Sequence, residues 1–273
     1  MLSLGFSPCP NDTFIFYALA KGRLDAADLS FRFIIADVET LNERALQRSI
    51  DISKVSCSAY WHLRDDYVFL RSGAALGRGC GPLIVARDPD TLRRGVRQPL
   101  KIAVPGRYTT AFLLLRLFLS SLQPPPVPSF VFMPFHEIMP AVERSEADAG
   151  LIIHESRFTY PLHGLVELLD LGTWWEAETG LPIPLGGIVA RKSLGDDLRG
   201  HVEALIRRSV KYSFGHRAEA MPYVRAHAQE LSEDVTNRHI GLYVNEHTVD
   251  IGDDGRAALE ELLKRADMVN KPL

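Results

Sequence analysis

Residues about 97 positions apart in this chain repeat one another's local signals. Asp12-Thr13 is matched by Thr109-Thr110 and Asp51 by Asp148, each at an offset of 97, and Arg48-Ser49 by Arg144-Ser145 at 96. Pro82-Leu83-Ile84-Val85-Ala86-Arg87 and Gly186-Gly187-Ile188-Val189-Ala190-Arg191 form a further matched pair at 104. One such match is weak, but several near a single offset point to two units built to the same plan.

Inside each unit the hydrophobic period switches between strand and helix. In the first, residues 2–6, 31–35, 50–55 and 67–70 read as strands. A helix is expected over 14–20, ended near Gly22, and an amphipathic one over 39–48 with Leu41, Ala45 and Leu46 on one face. In the second unit, 101–104, 130–133 and 150–153 read as strands, 111–120 and 137–144 as helices, with a proline spacer at 124–128. This alternation favours α/β over all-α or all-β. Helices are expected again over 198–214, 218–231 and 256–265.

We therefore expect two α/β lobes. Lobe one takes 1–87 and 187–273, including the C-terminal helices, and lobe two takes 88–186. The two Ile-Val-Ala-Arg segments are the strands on which the chain crosses, leaving a central cleft. Ligands of open α/β sheets sit beyond the carboxyl ends of the strands. Asn11-Asp12-Thr13 and Thr109-Thr110 lie just past such ends as helix caps. Free N–H groups and the helix dipole there suit an anionic or carboxylate ligand, although a single cap of this kind is more often only a cap.

Composition removes several classes. The 273 residues carry 31 Lys+Arg against 34 Asp+Glu, a net charge of −3. The pI of about 6.3 does not suit a nucleic-acid binder. The three cysteines, Cys9, Cys57 and Cys80, show no zinc spacing and no disulfide framework. The N-terminus lacks an export-signal pattern, and no apolar run approaches the roughly 18 residues of a membrane span. A cytoplasmic location is expected, with neither nucleic acid nor membrane as partner and a homodimer left open.

The strand ends carry the chemistry-bearing residues. Residues 52–55 run into Ser56-Cys57-Ser58, and 151–153 run into His154-Glu155-Ser156-Arg157, at equivalent places in the two lobes. Of the nine histidines, His154 directly follows a buried-looking strand into a polar loop, and an imidazole is the natural proton acceptor at neutral pH. A histidine satisfied by a backbone carbonyl is the competing structural reading. Cys57 could serve as a nucleophile with His154, but a buried cysteine is commoner as a small hydrophobe. Gly77-Arg78-Gly79-Cys80-Gly81 is no phosphate loop and suits flexible backbone at a crossing. Ser56 lacks a nucleophile elbow. Trp174-Trp175 reads as packing more than as a ligand cover, and His201, His216, His227, His239 and His247 as surface or structural. No motif for a metal or an organic cofactor is present.

Four blocks resemble the 1,4-dihydroxy-6-naphthoate synthases, a late enzyme family of the futalosine route to menaquinone. They are Ser7-Pro8-Cys9-Pro10-Asn11-Asp12-Thr13-Phe14, Gly77-Arg78-Gly79-Cys80-Gly81-Pro82-Leu83, Pro105-Gly106-Arg107-Tyr108-Thr109-Thr110-Ala111, and Leu151-Ile152-Ile153-His154-Glu155-Ser156-Arg157-Phe158-Thr159-Tyr160. The resemblance runs from Leu4 to about Val249. It implies a type 2 periplasmic-binding-protein-like fold and a lyase acting on cyclic dehypoxanthinyl futalosine. It further implies His154 as proton acceptor and substrate contacts at Lys54, Val55, Ser56, Thr109 and Thr110, with Asn42 beside them. Neither metal nor cofactor is implied. Rival readings are a chorismate dehydratase of the same route and a non-catalytic binding module for a small carboxylate.

Overall fold

Two mixed sheets carry the repeat. The computed structural model describes residues 1–26, 29–94, 99–123, 127–228 and 232–270. The chain opens with β1 (Leu2–Phe6), α1 (Pro10–Ala20), β2 (Phe31–Ile35), α2 (Val38–Leu46), β3 (Ile52–Ser56), α3 (Cys57–Leu63), β4 (Tyr67–Phe69) and β5 (Ala75–Gly77). It continues through β6 (Leu83–Ala86), α4 (Thr91–Arg94), β7 (Lys101–Val104), α5 (Thr110–Ser121), β8 (Ser129–Phe132), α6 (Phe135–Glu143), β9 (Ala149–Ile152), α7 (Ser156–Thr159), β10 (Val166–Asp170), α8 (Leu171–Thr179) and β11 (Ile183–Arg191). The helices α9 (Asp196–Gly215), α10 (Arg217–His227), α11 (Glu233–Tyr243), α12 (Glu246–Val249) and α13 (Gly252–Asn270) follow.

The first sheet has the order β2-β1-β3-β11-β4, with β5 also paired to β11, and the second has β8-β7-β9-β6-β10. Each strand of the second thus has a counterpart in the first, where β5 is additional. The register agrees: Ser53 pairs with Gly5 and Val189, as Gly150 pairs with Ala103 and Val85. Asp51 and Asp148 hold the same place, each accepting a 2.8 Å hydrogen bond from the N–H of Ser3 or Lys101 at the start of the neighbouring strand. Arg48 and Ser145 both take a left-handed backbone at the helix-to-strand turn, so that turn repeats at 97, one more than its side chains suggested.

Two boundaries move. Residues 83–86, expected in lobe one as part of 1–87, pair with β9 and β10 in the second sheet. Residues 183–186, expected in lobe two as part of 88–186, lie with 187–191 in β11 of the first sheet. Each matched segment therefore supplies the antiparallel strand of the opposite half, and the chain crosses just before it, at 78–82 and 180–182. Gly79 and Gly81 adopt positive φ in the first crossing.

The helices differ from expectation in two places. α1 begins at Pro10 behind Cys9, which makes no side-chain cap bond, so Asn11-Asp12-Thr13 lie inside its first turn. Of the helix expected over 218–231, α10 accounts for 217–227, while residues 229–231 lie outside the described residues, as do 124–126 of the proline spacer. α11 was not expected. α1 is buried from Pro10 to Leu19 because β1, α9, α10 and α11 surround it, which explains its apolar residues on every side. α13 lies against both α3 and α5, and Trp61 Nε1 donates to Asp267 Oδ1 at 2.7 Å, so the C-terminal helix braces both halves. Among the described residues no helix is long and apolar enough to cross a membrane.

Gly172, at the start of α8, packs on the first crossing so closely that a Cβ there would stand 1.8 Å from the Cys80 carbonyl oxygen. Gly172→Ala should lower stability by about 2 kcal/mol or more. Gly200→Ala, in open space within α9, should raise it by up to about 1 kcal/mol. Urea unfolding of the two variants checks both signs.

Candidate active site

A cavity of about 660 Å³ opens between the two sheets, at the carboxyl ends of β1, β3 and β9 and the N-termini of α1 and α5. A wider recess of about 1400 Å³, running along α2 past Arg107 and His136, shares Val38 and Ile153 with it.

The floor is built on Asp12. Its Oδ2 accepts from the N–H and hydroxyl of Ser7 at 3.1 and 2.7 Å, and its Oδ1 accepts from Asn11 Nδ2 at 2.9 Å. Lys54 Nζ completes the set at 3.1 Å from Oδ1 and also donates to the Gly73 carbonyl at 2.8 Å. Both charged groups are buried, a placement that holds because each is paired and hydrogen-bonded. Lys54 lines the cavity with its ammonium already committed.

Ser56 and Asn42 work as a unit. Asn42 accepts from Ser56 N at 2.9 Å and donates through Nδ2 to Ser56 Oγ at 3.2 Å and Glu39 Oε2 at 3.0 Å. Its polar atoms are spent, and it sits behind Ser56, outside the cavity lining. Since Asn42 donates to Ser56 Oγ, the serine's own O–H is free to turn toward a ligand. Val55 beside it is part of the wall.

Thr109 caps α5, accepting from Phe112 N at 3.2 Å and donating to Gly106 O at 2.9 Å. Thr110 Oγ1 donates to Leu185 O at 2.7 Å and accepts from Ser58 N at 3.1 Å. Both hydroxyls are thereby used to tie α5 down. What remains for a ligand are the first-turn N–H groups of Thr110 and Ala111, which have no intrahelical partner.

His154 lies on the opposite wall with φ +58, a backbone conformation rare outside glycine and one that clusters at functional sites. Its ring is half-buried, edge-on to Phe135 at 5.1 Å and stacked with His239 at 6.2 Å. Burial lowers its pKa to about 4, against opposing pulls from Asp12 and Asp37, so it is neutral at pH 7. Sγ of Cys9, a ring nitrogen of His154 and a carboxylate oxygen of Glu155 meet within 4.8 Å. Burial pushes the Cys9 thiol well up.

Among the residues of the cavity wall that were not expected, two carry polar chemistry from the C-terminal helices. His239, read as surface or structural, is fully buried and lines the cavity with Tyr243. Both come from α11. Thr236, His239, Ile240 and Tyr243, its buried positions, fall at helical spacing, and that stripe was the signal available. Cys57 and Cys80 are buried thiols raised to about 12, which leaves no case for a cysteine nucleophile. Trp175 is core, its Nε1 donating to Pro182 O at 3.0 Å.

A family model described as menaquinone biosynthesis matches residues 2–268. The chain belongs to the menaquinone biosynthesis family. Two curated relatives, from Thermus thermophilus and Streptomyces coelicolor, are named 1,4-dihydroxy-6-naphthoate synthase. The first is 50% identical over 97% of this chain and 94% of its own length, the second 47% identical over 97% and 92%. A solved protein of Archaeoglobus fulgidus superposes with a TM-score of 0.90 at 35% identity, covering 98% of this chain and 97% of its own. A Candida albicans protein described as having the generic periplasmic binding protein fold gives 0.71 at 15% identity, over 100% and 92%. At that identity the likeness carries the fold alone, and the fold is periplasmic-binding-protein-like with two α/β lobes, as expected.

In this family member the pKa of His154 has a consequence for stability. The unfolded chain takes up this proton near pH 6.5 and the folded chain only near 4. The stability contributed by keeping the ring neutral is therefore present above 6.5 and is lost as pH falls toward 4. Urea unfolding should weaken over that interval, less steeply in His154→Gln. NMR titration of His154 near its ordinary value would contradict this.

Proposed function

We propose that this chain is a carbon–carbon lyase of menaquinone biosynthesis that converts cyclic dehypoxanthinyl futalosine to 1,4-dihydroxy-6-naphthoate, with His154 as the proton acceptor. The reading is supported by the near-full-length identity to the two synthases and by the position of His154. This neutral imidazole, in a left-handed backbone, faces the cavity opposite Ser56 and the start of α5.

The residues divide the work as follows. The first-turn N–H groups of Thr110 and Ala111 receive a carboxylate of the substrate, where the helix dipole favours negative charge. The Ser56 hydroxyl, held by Asn42, donates to the same carboxylate or to a substrate hydroxyl. Lys54 acts indirectly, by fixing Asp12 and the α1 turn. His154 takes a hydroxyl proton, a carbon–carbon bond opens in the retro-aldol sense, and its electron pair enters the ring that becomes the naphthalene diol. Aromatisation supplies the driving force. Low polarity around His154 keeps the base unprotonated and excludes water. The reaction takes place in the cytoplasm, on a chain acting alone or as a homodimer.

His154→Gln and His154→Ala should fold and lose turnover of the cyclic substrate by at least about 100-fold. Near wild-type turnover in either variant would refute the base. Ser56→Ala should raise KM more than it lowers kcat. Incubation of the wild type with chorismate should yield no product.

A further inference from the structure

His239 is set up as more than wall. Asn11 Nδ2 donates to the Asp12 carboxylate at 2.9 Å, which is an acceptor only, so Asn11 presents Oδ1 to His239 Nε2 at 3.0 Å. That network assigns the proton to Nε2 and leaves Nδ1 as the basic nitrogen. Nδ1 is fully buried, makes no hydrogen bond, and faces Glu155 Oε2 at 3.9 Å. The Glu155 carboxylate is in turn within 4.8 Å of a His154 ring nitrogen. Glu155 is itself buried and stands near both histidines with one carboxyl group.

His154 cannot keep a proton comfortably by itself. Its surroundings hold it neutral down to about pH 4, whereas an effective base titrates near the working pH. Two imidazolium rings stacked at 6.2 Å would also repel in this dry setting. One carboxylate between two neutral imidazoles has room for one added proton, and the resulting group is a compensated ion pair rather than an isolated buried cation.

We propose that Glu155 and His239 form a buried proton relay behind His154, a role that rests on the lyase reading above. The substrate O–H bond breaks and its proton binds His154. In the same step the proton on the other ring nitrogen of His154 passes to a Glu155 carboxylate oxygen as that N–H bond breaks, and is shared with His239 Nδ1. The electron pair stays with the substrate carbon framework, and the proton returns along the same path as product forms. The separations of 3.9 Å and up to 4.8 Å exceed hydrogen-bond length, and a small turn of the Glu155 side chain on ligand binding closes them. His239 borders the cavity and Glu155 lies outside its lining; in this role both act through His154.

The test uses full-length Glu155→Gln and His239→Gln, the second of which keeps an N–H donor toward Asn11. With cyclic dehypoxanthinyl futalosine, single-turnover rates should fall about 100-fold in each, while KM and the affinity for 1,4-dihydroxy-6-naphthoate stay within about threefold. In mixtures of H2O and D2O the wild-type rate should bend, with more than one proton in flight, and the variants' rates should become linear. A merely structural role would lower stability and leave that dependence bent. Variants within threefold of an active wild type would overturn the relay alone. A linear dependence in the wild type would overturn it even if both variants failed to fold. A wild type inert on this substrate would overturn the lyase reading as well.

Discussion

Much of the cavity hangs on one buried carboxylate. Asp12 gathers Ser7, Asn11 and Lys54 around its two oxygens, and through them it joins the end of β1, the first turn of α1, β3 and the Gly73 carbonyl. Four donors on one carboxylate are what make burial of the charge tolerable. Removing either charge would strand the other. Through Asn11 the same knot fixes His239, so α11 is anchored to the cavity floor by a hydrogen bond as well as by apolar packing.

The two halves repeat each other until the turn after the third parallel strand, where they diverge. Cys57 and His154 are counterparts, each just past the third parallel strand. After β3 the chain passes directly into α3, and Cys57 is sealed in the core. After β9 it takes a left-handed step at His154 before α7 begins. That step turns a ring into the cleft where the other half buries a thiol. A repeated scaffold thus provides two similar walls, and one altered backbone angle separates the wall that presents His154 from the one that buries Cys57.

Much of this was legible in the sequence because it is local. Strand-to-helix switches, the matched aspartates and the Thr109 cap depend on neighbours within a few residues. The crossing was misplaced by one strand because the sequence fixes which segments resemble each other, not which sheet receives them; pairing of 83–86 with β9 is a long-range choice. α11 was missed for a related reason. Its buried stripe is interrupted by polar residues, and His239 is explained only by Asn11, 228 positions away. Lys54, Thr109 and Thr110 were legible as positions, but their side chains are bonded within the protein, and of their polar groups it is the Thr110 backbone N–H that is left for a ligand.

A structure of the chain with 1,4-dihydroxy-6-naphthoate bound decides between the two recesses. The naphthalene ring is expected in the cavity between the sheets, its carboxylate on the N–H groups of Thr110 and Ala111, and a ring oxygen within hydrogen-bond reach of His154. A ligand seated instead in the wider recess along α2, with His154 untouched, would contradict that placement.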